Sequence, residues 1–183
     1  MSKENAEANL REFGKEIKQE NLKFDENNTC ILGIDDAFSM HLTYEPNADR
    51  LYVYSPLLDT LPEDNKVKVK LYETLLDGSM LGGKMAGGGV GVATNEKLIL
   101  LHCTLDMSHA YDTALRAFAA LYVETVEKWR QICKDIVEGR EPQPFTLPGM
   151  PGPDGQPIER KSPQSKNDDK GGQGGPGAGF IKI

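Results

Sequence analysis

The sequence predicts an α+β fold, in which one twisted antiparallel sheet carries helices on part of its surface, in the order α-β-β-β-α-β-β-α. Three observations lead to this prediction. Apolar residues recur every three or four positions across 108–137, which predicts a long helix. Apolar and polar residues alternate over 38–44, which is typical of a strand with one buried face. The links between the first three strands are short, so these strands are predicted to pair antiparallel.

The remaining elements follow from the same two periodicities. Leu10, Phe13 and Ile17 lie on one face of a first helix, and Phe24 extends that apolar surface into a loop. Part of this apolar face is expected to pack on the sheet and part to form a docking groove for a partner chain. The alternative at each position is packing in the core alone. The other predicted elements are strands at 29–34, 38–44, 50–57, 90–92 and 98–105 and helices at 64–76 and 108–137.

The second helix and the fifth strand carry more apolar side chains than a single-sheet domain easily buries. Leu71, Leu75 and Leu76 form the helix stripe, and Gly78 is expected to end the helix as a left-handed cap. Residues 98–101 are all apolar, which predicts burial on both faces of that strand. Dimerisation about a two-fold axis would cover this surplus. The alternative is that the last helix covers it within one chain.

The chain divides into a domain, residues 1–139, and a tail, residues 140–183. Eight of the 11 prolines lie in the tail, which ends in a glycine-rich stretch. Such a composition buries too little apolar surface to offset the entropy of ordering, so the tail is predicted to be disordered.

The charge balance argues against nucleic acid and membranes as partners. The net charge is −7, and the domain has 15 basic and 23 acidic residues, which gives it −8. A domain this acidic repels phosphate backbones. No apolar run approaches the ~20 residues of a membrane span. The first residues lack the apolar centre of a secretory signal, so a cytoplasmic location is expected.

Catalytic, metal-binding and cofactor-binding constellations are not recognisable in the sequence. Cys30, Cys103 and Cys133 are widely spaced within apolar patterns, which indicates buried free thiols. His102 precedes Cys103 directly, but adjacent strand residues point to opposite faces. The carboxylate pair at 35–36 fits a hairpin turn better than acid–base catalysis.

The sharpest alternative is a nucleotide site in the glycine-rich stretch 78–91. Residues 78–85 nearly match the phosphate-binding pattern GxxxxGK[ST], but Met85 replaces the Ser or Thr that holds magnesium. The stretch also follows a helix, whereas a phosphate-binding loop follows a strand. In one interpretation the chain is a small nucleotide- or metabolite-binding enzyme that uses Lys84. In the other the stretch is a glycine-rich connector that binds no cofactor, and we favour this second interpretation.

The element order and several segments together resemble the type III secretion chaperones of the Tir-chaperone (CesT/SycE) family. Residues 71–81, LYETLLDGSML, resemble the family's second helix and the turn that leaves it. Residues 88–92, GGVGV, resemble its glycine-containing fourth strand, 98–102 its fifth strand, and the last helix with Trp129 its final helix. The resemblance covers residues 6–139, and within the family the SycE-like members of chlamydiae are the most similar.

The resemblance implies an acidic homodimer in the bacterial cytoplasm that binds secreted effector proteins and uses neither ATP nor a cofactor. The N-terminal segment of the effector is held unfolded and ready for export. The tail is either a spacer or a contact to the secretion ATPase or sorting apparatus. The expected effector-binding residues are Leu10, Phe13, Ile17, Phe24, Ile31 and Leu42. The expected dimer-interface residues are Leu71, Leu75, Leu76, Met80, Val90, Val92, Leu98 and Leu100.

Overall fold

The computed structural model describes residues 2–147 and 180–181 of the chain. The predicted order of helices and strands is confirmed across the domain. The elements are α1 (Ser2–Glu16), β1 (Thr29–Ile34), β2 (Phe38–Glu45), β3 (Arg50–Leu58), α2 (Asn65–Ser79), a 3₁₀ turn (Met80–Gly82), β4 (Gly89–Ala93), β5 (Leu98–Asp106), α3 (Ala114–Val137) and β6 (Phe180–Ile181).

The strands form one sheet with the order β4-β5-β3-β2-β1-β6. The first five strands pair antiparallel, as predicted. β6 lies along the far side of β1 in parallel orientation, with Gly33 opposite Phe180 and Ile34 opposite Ile181. The two sides of the sheet therefore end differently, with β4 at one side and the short β6 at the other.

The core lies between the helices and one face of the sheet, which we call the inner face. Every second residue of β2 from Phe38 to Tyr44 is buried there, and β3 contributes Leu51 and Val53 in the same way. Side chains from all three helices join the strands in one apolar cluster. The alternation that predicts these strands thus also determines which side chains enter the core.

Within one chain β5 is buried on one face only, so the alternative in which the last helix covers the second face is wrong, and burial of that face in a dimer stays a prediction. Ile99, Leu101 and Cys103 are buried, whereas Leu100 is half-buried and His102 is exposed. The helices pack on the inner face alone, so within the described residues the outer face of β5 has no covering layer. The apolar run of β5 therefore includes side chains on both faces, of which one chain covers only the inner set.

α3 begins at Ala114 rather than at the predicted Ser108, because two asparagines of α1 bind the backbone before it. The side-chain amide of Asn5 donates to two carbonyls of the preceding loop, at 2.7 and 2.8 Å. Asn9 accepts the backbone N–H of Leu115 at 2.9 Å and so caps α3 from another helix. These contacts hold residues 107–111 in an irregular conformation that periodicity along the chain does not reveal.

Gly78 does not end α2 as a left-handed cap. The helix runs through it to Ser79, and Gly78 is buried. A Cβ atom at Gly78 would lie 2.3 Å from two ring carbons of Trp129, so glycine is needed for α2 and α3 to approach this closely. The left-handed residues come later, at Leu81 (φ 58°) and Gly82 (φ 70°).

The packed region continues past residue 139 without regular secondary structure. Arg140 pairs with Asp135 at 2.6 Å, the Phe145 ring stacks on Trp129 with centroids 5.2 Å apart, and Leu147 is buried. The other tail residues, 148–179 and 182–183, lie outside the described residues. The predicted disorder of that part of the tail stays a prediction.

Candidate partner-binding surfaces

The three cysteines are buried free thiols, as the sequence predicts. Burial raises the pKa of Cys30 to about 11 and the pKa values of Cys103 and Cys133 to about 12. Each thiol therefore stays protonated at neutral pH. Because only the thiolate is an effective nucleophile, none of the three cysteines is activated for nucleophilic attack. His102 and Cys103 point to opposite faces of β5, as expected, since one is exposed and the other buried.

Two further observations concern ions and membranes. Within residues 2–147 and 180–181, no group of three or more His, Cys, Asp and Glu side chains is placed to hold a metal ion. Among the helices of the same ranges, none has the length and apolar content that crossing a bilayer requires.

The glycine-rich stretch 78–91 has the geometry of a packed connector. It leaves helix α2 and enters strand β4, which is the reverse of the strand-to-helix order of a phosphate-binding loop. The Lys84 carbonyl accepts the indole N–H of Trp129 at 2.7 Å. A Cβ atom at Gly88 would lie 1.9 Å from the His102 carbonyl oxygen, so this glycine permits a close approach to β5. Contacts between elements therefore account for Gly78 and Gly88 without a nucleotide.

The first candidate binding surface surrounds β4 and the end of α2, and we call it the β4 surface. Three apolar side chains stand open to solvent there: Leu76 is 65%, Met80 71% and Leu81 99% exposed. Val92 of β4 lines the same cleft as Leu76 and is also exposed. Full burial of one leucine or methionine contributes about 1.5–3 kcal/mol, so covering this surface is favourable.

β4 is an edge strand with features that favour pairing with another chain. Within the described residues it pairs with β5 alone, and its five residues include neither a charge nor a proline. Charges, prolines and covering loops are the usual protection of such edges. A cleft of about 160 Å³ separates β4 from α2, and a cleft of about 410 Å³ lies on the outer face. The outer cleft is lined by Thr43, Tyr52, Tyr54, Gly91, Val92, Ala93, Leu100 and His102.

The predicted dimer-interface residues fall into two groups. Leu71 and Leu75 point into the core and have almost no surface for a second chain. Their role in the single chain is to hold α2 on the sheet. The other six, which are exposed or half-buried around the β4 surface, are Leu76, Met80, Val90, Val92, Leu98 and Leu100. A dimer contact through these six stays a prediction.

The second candidate region comprises α1, β1 and the segment between them, residues 2–34, and we call it the α1–β1 region. A cleft of about 440 Å³ opens between α1 and residues 20–24. Leu10, Leu22 and Phe24 give it an apolar part, and charged side chains border it. Ile31 projects from the outer face of β1 and is 59% exposed. The region thus combines apolar contacts with charged ones.

The predicted effector-binding residues are also divided by the structure. Leu10, Phe13 and Leu42 are core residues with at most 4% of their surface exposed. Ile17 and Phe24 are partly buried against the core, and Ile31 is open to solvent. Contact with a bound effector stays a prediction for all six, and the exposed surface favours Ile31, Ile17 and Phe24.

Sequence reasoning missed two parts of these surfaces. Tyr52 and Tyr54 line the outer cleft beside β4, and their alternation with the buried Leu51 and Val53 was the available signal. Leu81 is the most exposed large apolar side chain of the described residues. The sequence signal for Leu81 was its position directly after a helix, in a glycine-rich stretch with few apolar side chains that could cover it.

The fold and its surfaces are typical of a protein-binding class of domain, because a single sheet presents an unprotected edge beside exposed apolar side chains. Comparison with protein families gives the class a name. The model of the Tir chaperone protein (CesT) family matches residues 8–130, which is more than half of the chain. The chain belongs to this family.

Solved structures of similar fold include chains from three protein complexes. A chain of the HopA1-SchA chaperone–effector complex aligns with a TM-score of 0.55 at 20% identity, over 69% of this chain and 93% of that chain. A chain of the ExsC-ExsE complex aligns with a TM-score of 0.58 at 19% identity, over 72% of this chain and 94% of that chain. The third structure is the Yersinia pestis type III secretion chaperone SycH in complex with a stable fragment of YscM2. It aligns with a TM-score of 0.51 at 17% identity, over 67% of this chain and 98% of that chain. At these identities the likeness shows the fold, and no curated protein sequence matches the chain.

Proposed function

We propose that this chain is a type III secretion chaperone that binds the N-terminal region of secreted effector proteins in the bacterial cytoplasm. The observation that carries the proposal is the family match over residues 8–130, which includes β1 to β5 and most of α3. The similar folds found in a chaperone–effector complex and in the SycH complex support it. Binding alone is the proposed activity, without a catalytic step or a cofactor.

Two copies of the chain are proposed to pair through the β4 surface. A two-fold axis places the same patch of each copy against the other, so one apolar surface is enough to build the interface. Leu76, Met80 and Val92 provide exposed apolar area, and the uncharged edge of β4 provides unpaired backbone groups within the described residues. The half-buried Val90, Leu98 and Leu100 become fully buried in this arrangement.

The effector segment is proposed to bind in an extended conformation along the α1–β1 region. A strand that adds to a sheet edge gains main-chain hydrogen bonds without requiring one particular sequence. Ile31, Ile17 and Phe24 supply apolar contacts on the chaperone side. Ordering a disordered segment costs about 2–5 kcal/mol, which keeps the complex reversible. The bound segment stays unfolded because the extended conformation itself is what the edge recognises.

Charge and family resemblance add two finer parts to the proposal. The domain carries −8, which favours effectors whose bound segment is basic. On the sequence resemblance, the chain groups with the SycE-like chaperones of chlamydiae, and its tail is a candidate contact for the secretion ATPase or sorting apparatus. Removal of residues 148–183 tests the tail, since docking on the apparatus should be lost and effector binding kept.

The test of the main proposal is capture of the tagged chain from its own cells, followed by mass spectrometry. We expect one or a few exported proteins in near-stoichiometric amounts. An Ile31→Asp variant should lose them, whereas a Val137→Asp variant, at an exposed apolar residue of α3, should retain them. Capture of no exported protein by the unmodified chain contradicts the proposal.

A further inference from the structure

The β1 edge of the sheet is met by the chain's own C-terminal end. Phe180 and Ile181 form β6, which runs parallel to β1 opposite Gly33 and Ile34. These are the last two residues of the six-residue strand, so β6 covers one end of the edge and leaves positions 29–32 uncovered within the described residues. Since β2 occupies the other side of β1, β6 lies where an added strand from a partner would pair.

The chain is long enough to bring this end to the edge. The described domain stops at Leu147, and 32 residues, 148–179, connect it to β6. A chain of that length spans at most about 110 Å when fully extended. A domain of about 140 residues has a radius of gyration near 14 Å, so every part of its surface is within reach. Because the end is tethered to the domain, its pairing is intramolecular and has a millimolar-range effective concentration.

The composition of the last residues suits strand pairing on this domain. The end reads Gly-Phe-Ile-Lys-Ile, and aromatic and β-branched residues are the ones that favour strands. It carries a lysine without an acidic residue nearby in the sequence, whereas the domain carries −8. An extended, apolar segment is also the kind of partner that the β1 edge is proposed to bind.

We infer that the C-terminal strand β6 is an internal occupant of the β1 edge, which a bound effector segment must displace. Two strands cannot pair with the same side of Gly33 and Ile34, so occupancy by one excludes the other there. Because the described residues of β6 cover only the end of β1, a longer effector strand can start on the open positions before it displaces β6. The tail then protects the edge of the empty chaperone and yields when an effector arrives.

Hydrogen–deuterium exchange of the full-length chain tests the pairing itself. Proline has no N–H and a fixed φ, so a Phe180→Pro/Ile181→Pro variant cannot maintain β6. Adjacent N–H groups of a strand point to opposite sides, so one of the amides of Gly33 and Ile34 faces β6. We expect faster exchange there in the variant and unchanged rates in a Gln164→Pro/Ser165→Pro control. Equal rates in all three chains would overturn the inference.

A peptide in trans gives an independent measurement. A fluorescein-labelled peptide with the sequence of residues 176–183, PGAGFIKI, is titrated with the wild-type chain and with the Phe180→Pro/Ile181→Pro variant. If β6 occupies the edge nine-tenths of the time, releasing it lowers the apparent Kd about tenfold. Saturable, tighter binding to the variant supports the inference. Equal binding to both chains, or binding to neither, contradicts it.

The regulatory consequence rests on the proposed function, and effector binding tests it separately. The N-terminal peptide of a captured exported protein should bind the proline variant more tightly than the wild type and the 164–165 control. If that peptide binds all three chains equally, the competition is wrong while the chaperone function stands. If no exported protein is captured by any of them, the proposed function fails, and the exchange result still decides whether β6 pairs with β1.

Discussion

The two edges of the sheet are built differently. The β4 edge is short, uncharged and glycine-containing, and exposed apolar side chains of α2 and the 3₁₀ turn lie beside it. The β1 edge is partly paired with the chain's own β6, and the cleft in the same region is bordered by charged residues. Apolar interfaces are characteristic of permanent partners, whereas mixed ones are characteristic of partners that exchange. One small sheet can therefore separate its own assembly from binding of other proteins by using opposite edges.

The regions behind the two edges are also held by different chemistry. On the β4 side, the buried Trp129 packs on Gly78, donates to the Lys84 carbonyl and stacks on Phe145. On the α1 side, the buried Asn9 joins α1 to α3 by hydrogen bonds. Substitutions at these two anchors, and at the exposed residues beyond them, test whether the two sides behave independently.

The largest effect is expected from Trp129→Ala. The substitution removes a buried ring that joins α2, the connector and the segment after α3, so the free energy of unfolding should fall by about 3–5 kcal/mol. Urea denaturation followed by circular dichroism measures it. Trp129→Phe is the control: it keeps most of the apolar volume and leaves the Lys84 carbonyl without its donor, so a smaller loss is expected. Equal losses would mean that the hydrogen bond, not the packing, is the anchor.

The second effect concerns assembly through the β4 surface. Leu76→Asp places a charge at the centre of the proposed interface, and loss of a central apolar anchor costs about 2 kcal/mol or more of association, roughly 30-fold in Kd. Light scattering should change from a dimer to the single chain of 20.1 kDa. Ile31→Asp, a matched change on the other edge, should leave the dimer intact. A wild-type chain that is monomeric at all concentrations, or a dimer lost in both variants, would contradict the proposed division.

Much of the fold was predictable from sequence because local periodicity determines it. The alternation around Met40 and Leu42 reports which face is buried whatever the rest of the chain does. The start of α3 was not predictable, since Asn9 caps it from more than 100 residues away. Gly78 was misassigned for a similar reason: a glycine near a helix end is usually a cap, and only the position of Trp129 shows that it is a packing contact.

The candidate surfaces were predictable only in part. Leu71, Leu75 and Leu76 belong to one apolar stripe, and the sequence does not report how far the helix is rotated on the sheet. The structure turns Leu71 and Leu75 inward and leaves Leu76 outside. Leu10 and Phe13 show the same limit, because an apolar helix face serves a core and a binding groove with the same pattern. The pairing of residues 180–181 with β1 depends on contacts across nearly the whole chain, which a single sequence does not reveal.

A smaller effect is expected from Asn9→Ala on the α1 side. The substitution leaves the buried N–H of Leu115 without its acceptor and removes the cap of α3, which should cost about 1–2 kcal/mol of unfolding free energy. Asn9→Asp keeps an acceptor at the cap but turns a carboxylate oxygen toward the Tyr111 carbonyl in a fully buried site, so it should not restore the stability. Chemical denaturation measures both, and dimer mass should not change. A dimer lost in Asn9→Ala at full folding would show that the two sides are coupled.

The smallest effect concerns His41 on the outer face of the sheet. It belongs to a row of directly paired residues that crosses the sheet in the order Ile31, His41, Tyr54, His102 and Gly89. It stacks on Tyr54 with ring centroids 5.0 Å apart, and burial lowers its pKa from the ordinary value. As the pH falls, His41 therefore takes up a proton in the unfolded chain before it does so in the folded chain. Stability should decrease as the pH falls through about 6.5 and level off once the folded histidine is protonated too.

Denaturation at pH 7.5 and 5.5 should show a smaller acid-dependent loss in His41→Gln than in the wild type. NMR titration of His41 in the wild-type chain and in Leu76→Asp then measures how far the β4 interface reaches across the outer face. We expect the same pKa in both, because His41 lines neither cleft of the β4 surface. A lower pKa in the dimer alone would mean that the second copy covers the middle of the sheet, and that the two edges share one surface instead of having separate ones.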